Sequence, residues 1–92
     1  MKGVEEISTR QAFRIPLQGA PAPSGWAVKY LSGMEEKSDI KPGYWLQWFE
    51  DPRGPILRFT PELLMTFGDG EEAKRVSATL HASDIKTEIV KV

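Results

Sequence analysis

Tyr44-Trp45-Leu46-Gln47-Trp48-Phe49-Glu50-Asp51-Pro52-Arg53-Gly54-Pro55-Ile56-Leu57-Arg58-Phe59 reads as two strands around a tight turn. Residues 44–50 are dense in strand-forming aromatic and aliphatic side chains. Asp51-Pro52-Arg53-Gly54 carries Pro at the second and Gly at the fourth position of a type I turn. Residues 55–59 then return as the second strand, so 44–59 is predicted to be a β-hairpin. Side chains alternate along a strand, so Trp45 and Phe49 face one side while Tyr44 and Trp48 face the other.

C-terminal to the hairpin, Thr60-Pro61-Glu62 is predicted to open a short helical turn, with Thr60 as N-cap and Pro61 at the first helical position. Leu63, Leu64, Met65 and Phe67 supply apolar cover. Asp69-Gly70-Glu71-Glu72 has the spacing of a capping box, with Asp69 as cap and Glu72 three residues on. A helix is predicted over about 70–82. Ala73, Val76 and Leu80 form its apolar stripe, and Lys74, Arg75 and Thr79 lie on the wet side. Ser83-Asp84 breaks it. Residues 85–92 alternate, Ile85, Thr87 and Ile89 against Lys86, Glu88 and Val90, and read as a final strand.

N-terminal to the hairpin, Trp26–Leu31 reads as a strand with Trp26, Val28 and Tyr30 on one side and Ala27, Lys29 and Leu31 on the other. Residues 32–43 are polar and punctuated by Gly33, Pro42 and Gly43, a long loop. Residues 1–25 are the least regular part and are predicted to form an arm. Phe13, Ile15 and Leu17 alternate, and Pro16 suits an edge strand. Residues 19–25 are a loop by composition. The arm reads either as a terminal strand plus loop or as a lever that docks on a partner. The expected architecture is a single α+β domain over 1–92, with its compact part over 26–92. It is an antiparallel sheet of about three to five strands with one main helix on a face, in the order (β)βββαβ.

Composition narrows the function classes. The chain has 92 residues, one domain's worth, and its stability should be on the order of 5 kcal/mol. It carries 12 basic and 13 acidic residues for a net charge of −1. Neither the cationic excess of most nucleic-acid binders nor the anionic excess of a nucleic-acid mimic is present. There is no cysteine, which rules out disulfides, thiolate nucleophiles and Cys-type zinc sites. Met1–Glu6 has no apolar signal region, and no run is long enough to span a membrane, so a cytoplasmic location is expected.

Catalytic motifs are thin. His81 is the sole histidine, and Asp84 lies three residues on as a possible orienting carboxylate. A histidine at a helix C-terminus, favoured by the dipole, is the simpler account. Glu35-Glu36, Glu50-Asp51 and Glu71-Glu72 are neighbours whose side chains diverge, with no metal-ligand spacing. Gly68-Asp69-Gly70 opens a helix whose end is already acidic, which disfavours a phosphate. No enzyme activity, cofactor or metal is expected.

The aromatic side chains are the strongest lead. One helix covers one sheet face, so some rings should stay exposed, as anchors of binding surfaces do. Trp26, Tyr44 and Trp48, rimmed by Arg53 and Arg58, are the candidate surface for a protein partner. The same sheet, with Lys29, Arg53, Arg58 and Lys86 interleaved, could instead stack single-stranded bases, although no RNP-like pattern is present. Either a monomer or a homodimer is compatible with exposed strand edges.

The segment Gly43–Val92 combines the aromatic hairpin, the Thr-Pro turn, Phe67 followed by Gly68-Asp69-Gly70-Glu71-Glu72-Ala73, a short helix and the closing Thr87-Glu88-Ile89-Val90-Lys91-Val92. In this it resembles small orphan proteins encoded by bacteriophages and prophages, a group that includes the anti-CRISPR inhibitors. The resemblance covers about the last half of the chain and is one of pattern. It implies a viral protein that inhibits a host or defence complex by surface docking, in the host cytoplasm.

Overall fold

A computed structural model describes residues 12–34 and 38–92. The first eleven residues of the expected arm, and the Glu35-Glu36 pair, lie outside the described residues. The elements are β1 (Ala12–Phe13), β2 (Pro21–Ala22), β3 (Trp26–Ser32), β4 (Trp45–Phe49), β5 (Ile56–Thr60), β6 (Thr66–Phe67), α1 (Gly70–His81) and β7 (Lys86–Lys91). Among the described residues the fold is a small α+β fold: a seven-stranded antiparallel sheet with one helix, which leads into the last strand of the sheet.

β3 is the axis of the sheet. β7 lies along one of its edges from Trp26↔Lys91 to Ser32↔Lys86. Two strands share the other edge. β4 pairs at Lys29↔Trp45 and β6 pairs at Trp26↔Phe67. The sheet therefore forks beside β3. One branch continues through β4 and β5 to β1, the other through β6 to β2. Gly25 makes the close approach of β6 possible: at φ +152 a Cβ there would sit 2.3 Å from the Phe67 carbonyl oxygen. At the far end of β3, Gly33 has φ +115, and a Cβ would lie 2.2 Å from the Asp84 carbonyl oxygen, where the helix passes into β7.

The hairpin forms as the sequence dictates. Five pairs run from Trp45↔Thr60 to Phe49↔Ile56. The turn closes with the Gly54 N–H donating to the Asp51 carbonyl, 2.8 Å. Pro16 follows an edge: β1 ends the β5 branch, and Phe13 meets Phe59 edge-to-face at 5.8 Å. Two short pieces were not foreseen. Pro21–Ala22, in a segment whose composition predicts loop, pairs with Thr66–Phe67, in a segment read only as apolar cover.

The helix buries Ala73, Val76 and Leu80, the expected stripe. These residues meet Val28, Tyr30, Leu46, Leu57, Phe59, Phe67 and Ile85 in one core. Trp48 leans across the fork onto Phe67, with ring centroids 4.4 Å apart. Asp69 caps the helix, its Oδ1 accepting from the Glu71 N–H at 3.0 Å. The capping box is only half made, because the Glu72 carboxylate is turned elsewhere. Glu72 is buried, and its Oε2 accepts from the Gln18 N–H, from the Gly19 N–H at 3.3 Å and from Arg75 Nη2 at 3.2 Å. The arm thus supplies the partners that the cap would have given. The expected break is at Asp84, which takes the left-handed φ of +66 usual for a residue ending a helix.

Thr60-Pro61-Glu62 forms no helical turn. Thr60 remains in β5 opposite Trp45, and its hydroxyl donates to the Glu62 carbonyl at 2.8 Å. The chain must then pass β4 to reach the β3 edge, and a helical turn is too short in rise for that span. No helix among the described residues is long and apolar enough to cross a membrane.

Candidate functional site

The strand registers sort side chains onto two faces. Trp26, Val28, Tyr30, Leu46, Trp48, Leu57 and Phe59 share the helix side. Ala27, Lys29, Trp45, Gln47, Phe49, Ile56, Arg58, Glu88 and Val90 share the other, and Leu31, at the register shift between Tyr30 and Ser32, follows Lys29 by strand alternation. Among the described residues, no helix packs on the second face.

Gln47 is buried on that helix-free face, where β4 parts from β3. A buried amide is stable only if its donors and acceptors are matched. Here they are. Oε1 accepts from the Leu64 N–H at 2.9 Å and the Met65 N–H at 2.8 Å. Nε2 donates to the Leu46 carbonyl at 2.7 Å and the Met65 carbonyl at 2.8 Å. The side chain acts as a peptide group would in a missing strand, and it fixes residues 64–65 where they cross β4. Leu64 is consequently held by its backbone while its side chain stands 64% exposed.

Leu64 stands beside an apolar stripe. Trp45 and Phe49 flank Gln47 along β4, each about 7 Å away. Leu31 extends the stripe beyond Trp45, and Ile56 lies opposite Phe49. Leu31 is 41% and Phe49 37% exposed, and Trp45 and Ile56 are half-buried. Cations sit over the rings: Lys29 Nζ is 5.4 Å from the Trp45 ring centroid and the Arg58 guanidinium 5.8 Å from that of Phe49. Such contacts stabilise exposed pairs by about 0.5–1 kcal/mol.

The structure separates the five residues singled out from sequence. Trp26, Tyr44 and Trp48 are half-buried and pack against the core on the helix side. Trp26 abuts Gly70, and Lys91 Nζ lies 5.5 Å from its ring. Arg53 is exposed in the hairpin turn, its backbone N–H donating to Asp51 Oδ2 at 3.2 Å. Arg58 alone of the five is on the helix-free face. Trp45, Phe49, Leu31 and Leu64 are not among the five, and Lys29 enters the sequence reading only as a cation for base stacking. Alternation had already placed Trp45 and Phe49 opposite Trp48, but nothing local told which side the helix would take.

Near the turn, Arg14 Nη2 donates to Asp51 Oδ2 at 2.7 Å. That hydrogen bond, then the Arg53 N–H, hold the Asp51 carboxyl below its ordinary value of 3.8. His81 and Asp84 are both exposed, and they meet through the Asp84 N–H on the His81 carbonyl at 2.9 Å, a helix-end contact. No group of three or more His, Asp or Glu among the described residues is placed to hold a metal ion.

Comparison with protein-family models, curated proteins and solved structures finds no match to this chain or its fold. The functional reading therefore rests on the surface itself.

Proposed function

We propose that this protein acts without catalysis, by docking on a protein partner through the helix-free face of its sheet. The observation that carries this is the distribution of exposed apolar groups. Of the four exposed large hydrophobic residues among the described residues, Leu31, Phe49 and Leu64 cluster on or beside that face, and Val92 lies apart from it. Clustered apolar groups rimmed by charge favour a binding surface over scattered solvent contact. The resemblance to small phage accessory proteins extends the proposal: the partner is a component of a host or defence complex, and the protein inhibits it. Affinity capture from bacterial lysate tests this, run with wild type and with a Phe49→Ser, Leu64→Ser variant. A stoichiometric protein retained by wild type and lost from the variant supports the reading. A partner retained equally by both places the binding surface elsewhere.

A second reading, single-stranded nucleic-acid binding, is favoured by the two cation–ring pairs on this face. It predicts oligonucleotide binding that weakens steeply with salt. Absence of binding at low salt removes it.

A further inference from the structure

Resting on the docking reading, we infer that the helix-free face takes an acidic protein segment, one that sets Asp or Glu beside apolar side chains. The charge on the face points this way. The chain is net −1, but among the described strand residues the register places Lys29 and Arg58 on this face against one acid, Glu88, which lies opposite Lys29. Both cations are fixed directly above apolar groups, over Trp45 and Phe49. A complementary segment must therefore offer carboxylates within a few ångströms of the side chains that cover Leu31, Leu64 and Phe49. Like-charge juxtaposition costs heavily at an interface, so acidic segments are selected over basic ones.

The other occupants fit less well. A second copy docked face to face would bring both copies' Lys29 and Arg58 into one interface with, among the described strand residues, the two Glu88 carboxylates alone to offset them. Nucleic acid would use the same rings and cations, but its phosphates find no cationic excess in a chain of net −1. It also leaves Leu31 and Leu64 with nothing apolar to cover them. Gln47 adds affinity for any rigid apolar partner. It fixes the Leu64 backbone through two N–H donors, so little conformational freedom is lost when Leu64 inserts.

The test is selection from a random linear-peptide library on the immobilised full chain. Selected peptides are then titrated against wild type, Lys29→Glu/Arg58→Glu, the milder Lys29→Gln/Arg58→Gln, and Phe49→Ser/Leu64→Ser. Circular dichroism verifies the fold of each, and the neutral pair keeps the test valid if charge reversal unfolds the chain. The expected result is a peptide family rich in Asp or Glu next to Leu, Ile or Phe. Its binding should weaken roughly tenfold in the neutral charge variant and further on reversal, and should be lost in the apolar variant. Neutral or basic peptides that still require Phe49 and Leu64 would overturn the acidic inference and leave the face as the docking site. Peptides indifferent to Phe49 and Leu64 would overturn both. No enriched family also overturns the inference. An oligothymidine that binds wild type and not the charge variants, or concentration-dependent dimerisation abolished by Leu64→Ser, assigns the face to nucleic acid or to a second copy instead.

Discussion

Replacing Gln47 with Met isolates what the buried amide does. Met has nearly the same length and stays buried without offering a donor or acceptor. The change strips partners from the Leu64 and Met65 N–H groups and from the Leu46 and Met65 carbonyls. Four neutral hydrogen bonds at a net 0.5–1.5 kcal/mol each set an upper range of about 2–6 kcal/mol. Burying Met in place of an amide returns part of that, and the freed segment regains water by lifting from β4. The expected loss is about 2–4 kcal/mol, well within the stability of a domain this size. It corresponds to a fall in Tm of roughly 10–25 °C. Urea denaturation gives the free energy, and amide hydrogen exchange gives its location: the Leu64 and Met65 amides should lose protection while β3 and β7 keep theirs. A Gln47→Met protein within about 0.5 kcal/mol of wild type, with protected amides at 64 and 65, would refute the clamp. Gln47→Glu sharpens the reasoning. Its carboxylate would face two carbonyl oxygens in a buried site, which raises its pKa above the unfolded value. The native state then binds the extra proton, so this variant should gain stability relative to wild type as pH falls.

Three further outcomes follow from local contacts. Glu72→Gln should cost about 1–2 kcal/mol, because the uncharged amide weakens the bonds from Gln18, Gly19 and Arg75, and the Gln18 and Gly19 amides should exchange faster. The Asp51 carboxyl has its folded pKa lowered by Arg14 and then Arg53, so its contribution is complete above the ordinary 3.8 and is lost as pH falls through the lower folded value. Asp51→Asn should flatten that part of an acid-denaturation curve by lowering the neutral plateau, with variant and wild type converging at low pH. Asp84→Gly should stabilise by about 0.5–1 kcal/mol in thermal melts, since φ +66 suits glycine better than aspartate.

The main elements were legible because each rests on local chemistry. Strand formers on either side of Asp51-Pro52-Arg53-Gly54 make the hairpin, and Asp69 with the Ala73, Val76 and Leu80 stripe makes the helix. β2 and β6 were not legible, since Pro21–Ala22 and Thr66–Phe67 have no strand period of their own. They are strands only because the fork beside β3 leaves an edge for Phe67, and Gly25 leaves room to reach it. The candidate surface was half legible. Alternation separated Trp45 and Phe49 from Tyr44 and Trp48, but the side taken by the helix depends on β7 and β6, which lie far along the chain. Leu64 gave no signal, because its exposure depends on a glutamine seventeen residues away.

The apolar stripe can be separated from the core by its response to polar substitution. Were Phe49 and Leu64 structural, serine at either would leave a cavity and cost about 2–5 kcal/mol, as for a buried leucine or phenylalanine. At 37% and 64% exposure much of each side chain already faces water, and the Leu64 backbone is held by Gln47 whatever its side chain. Leu64→Ser should therefore change stability by no more than about 0.5 kcal/mol. Phe49→Ser should cost somewhat more, roughly 1 kcal/mol, because it also removes the ring beneath Arg58. A fold that does not need these side chains has no reason of stability to keep them apolar at the surface, and their use in binding supplies one. Urea titrations of the two variants give the answer directly. A loss of several kcal/mol at Leu64 would make the stripe an outlying part of the core and withdraw the main support for docking on this face.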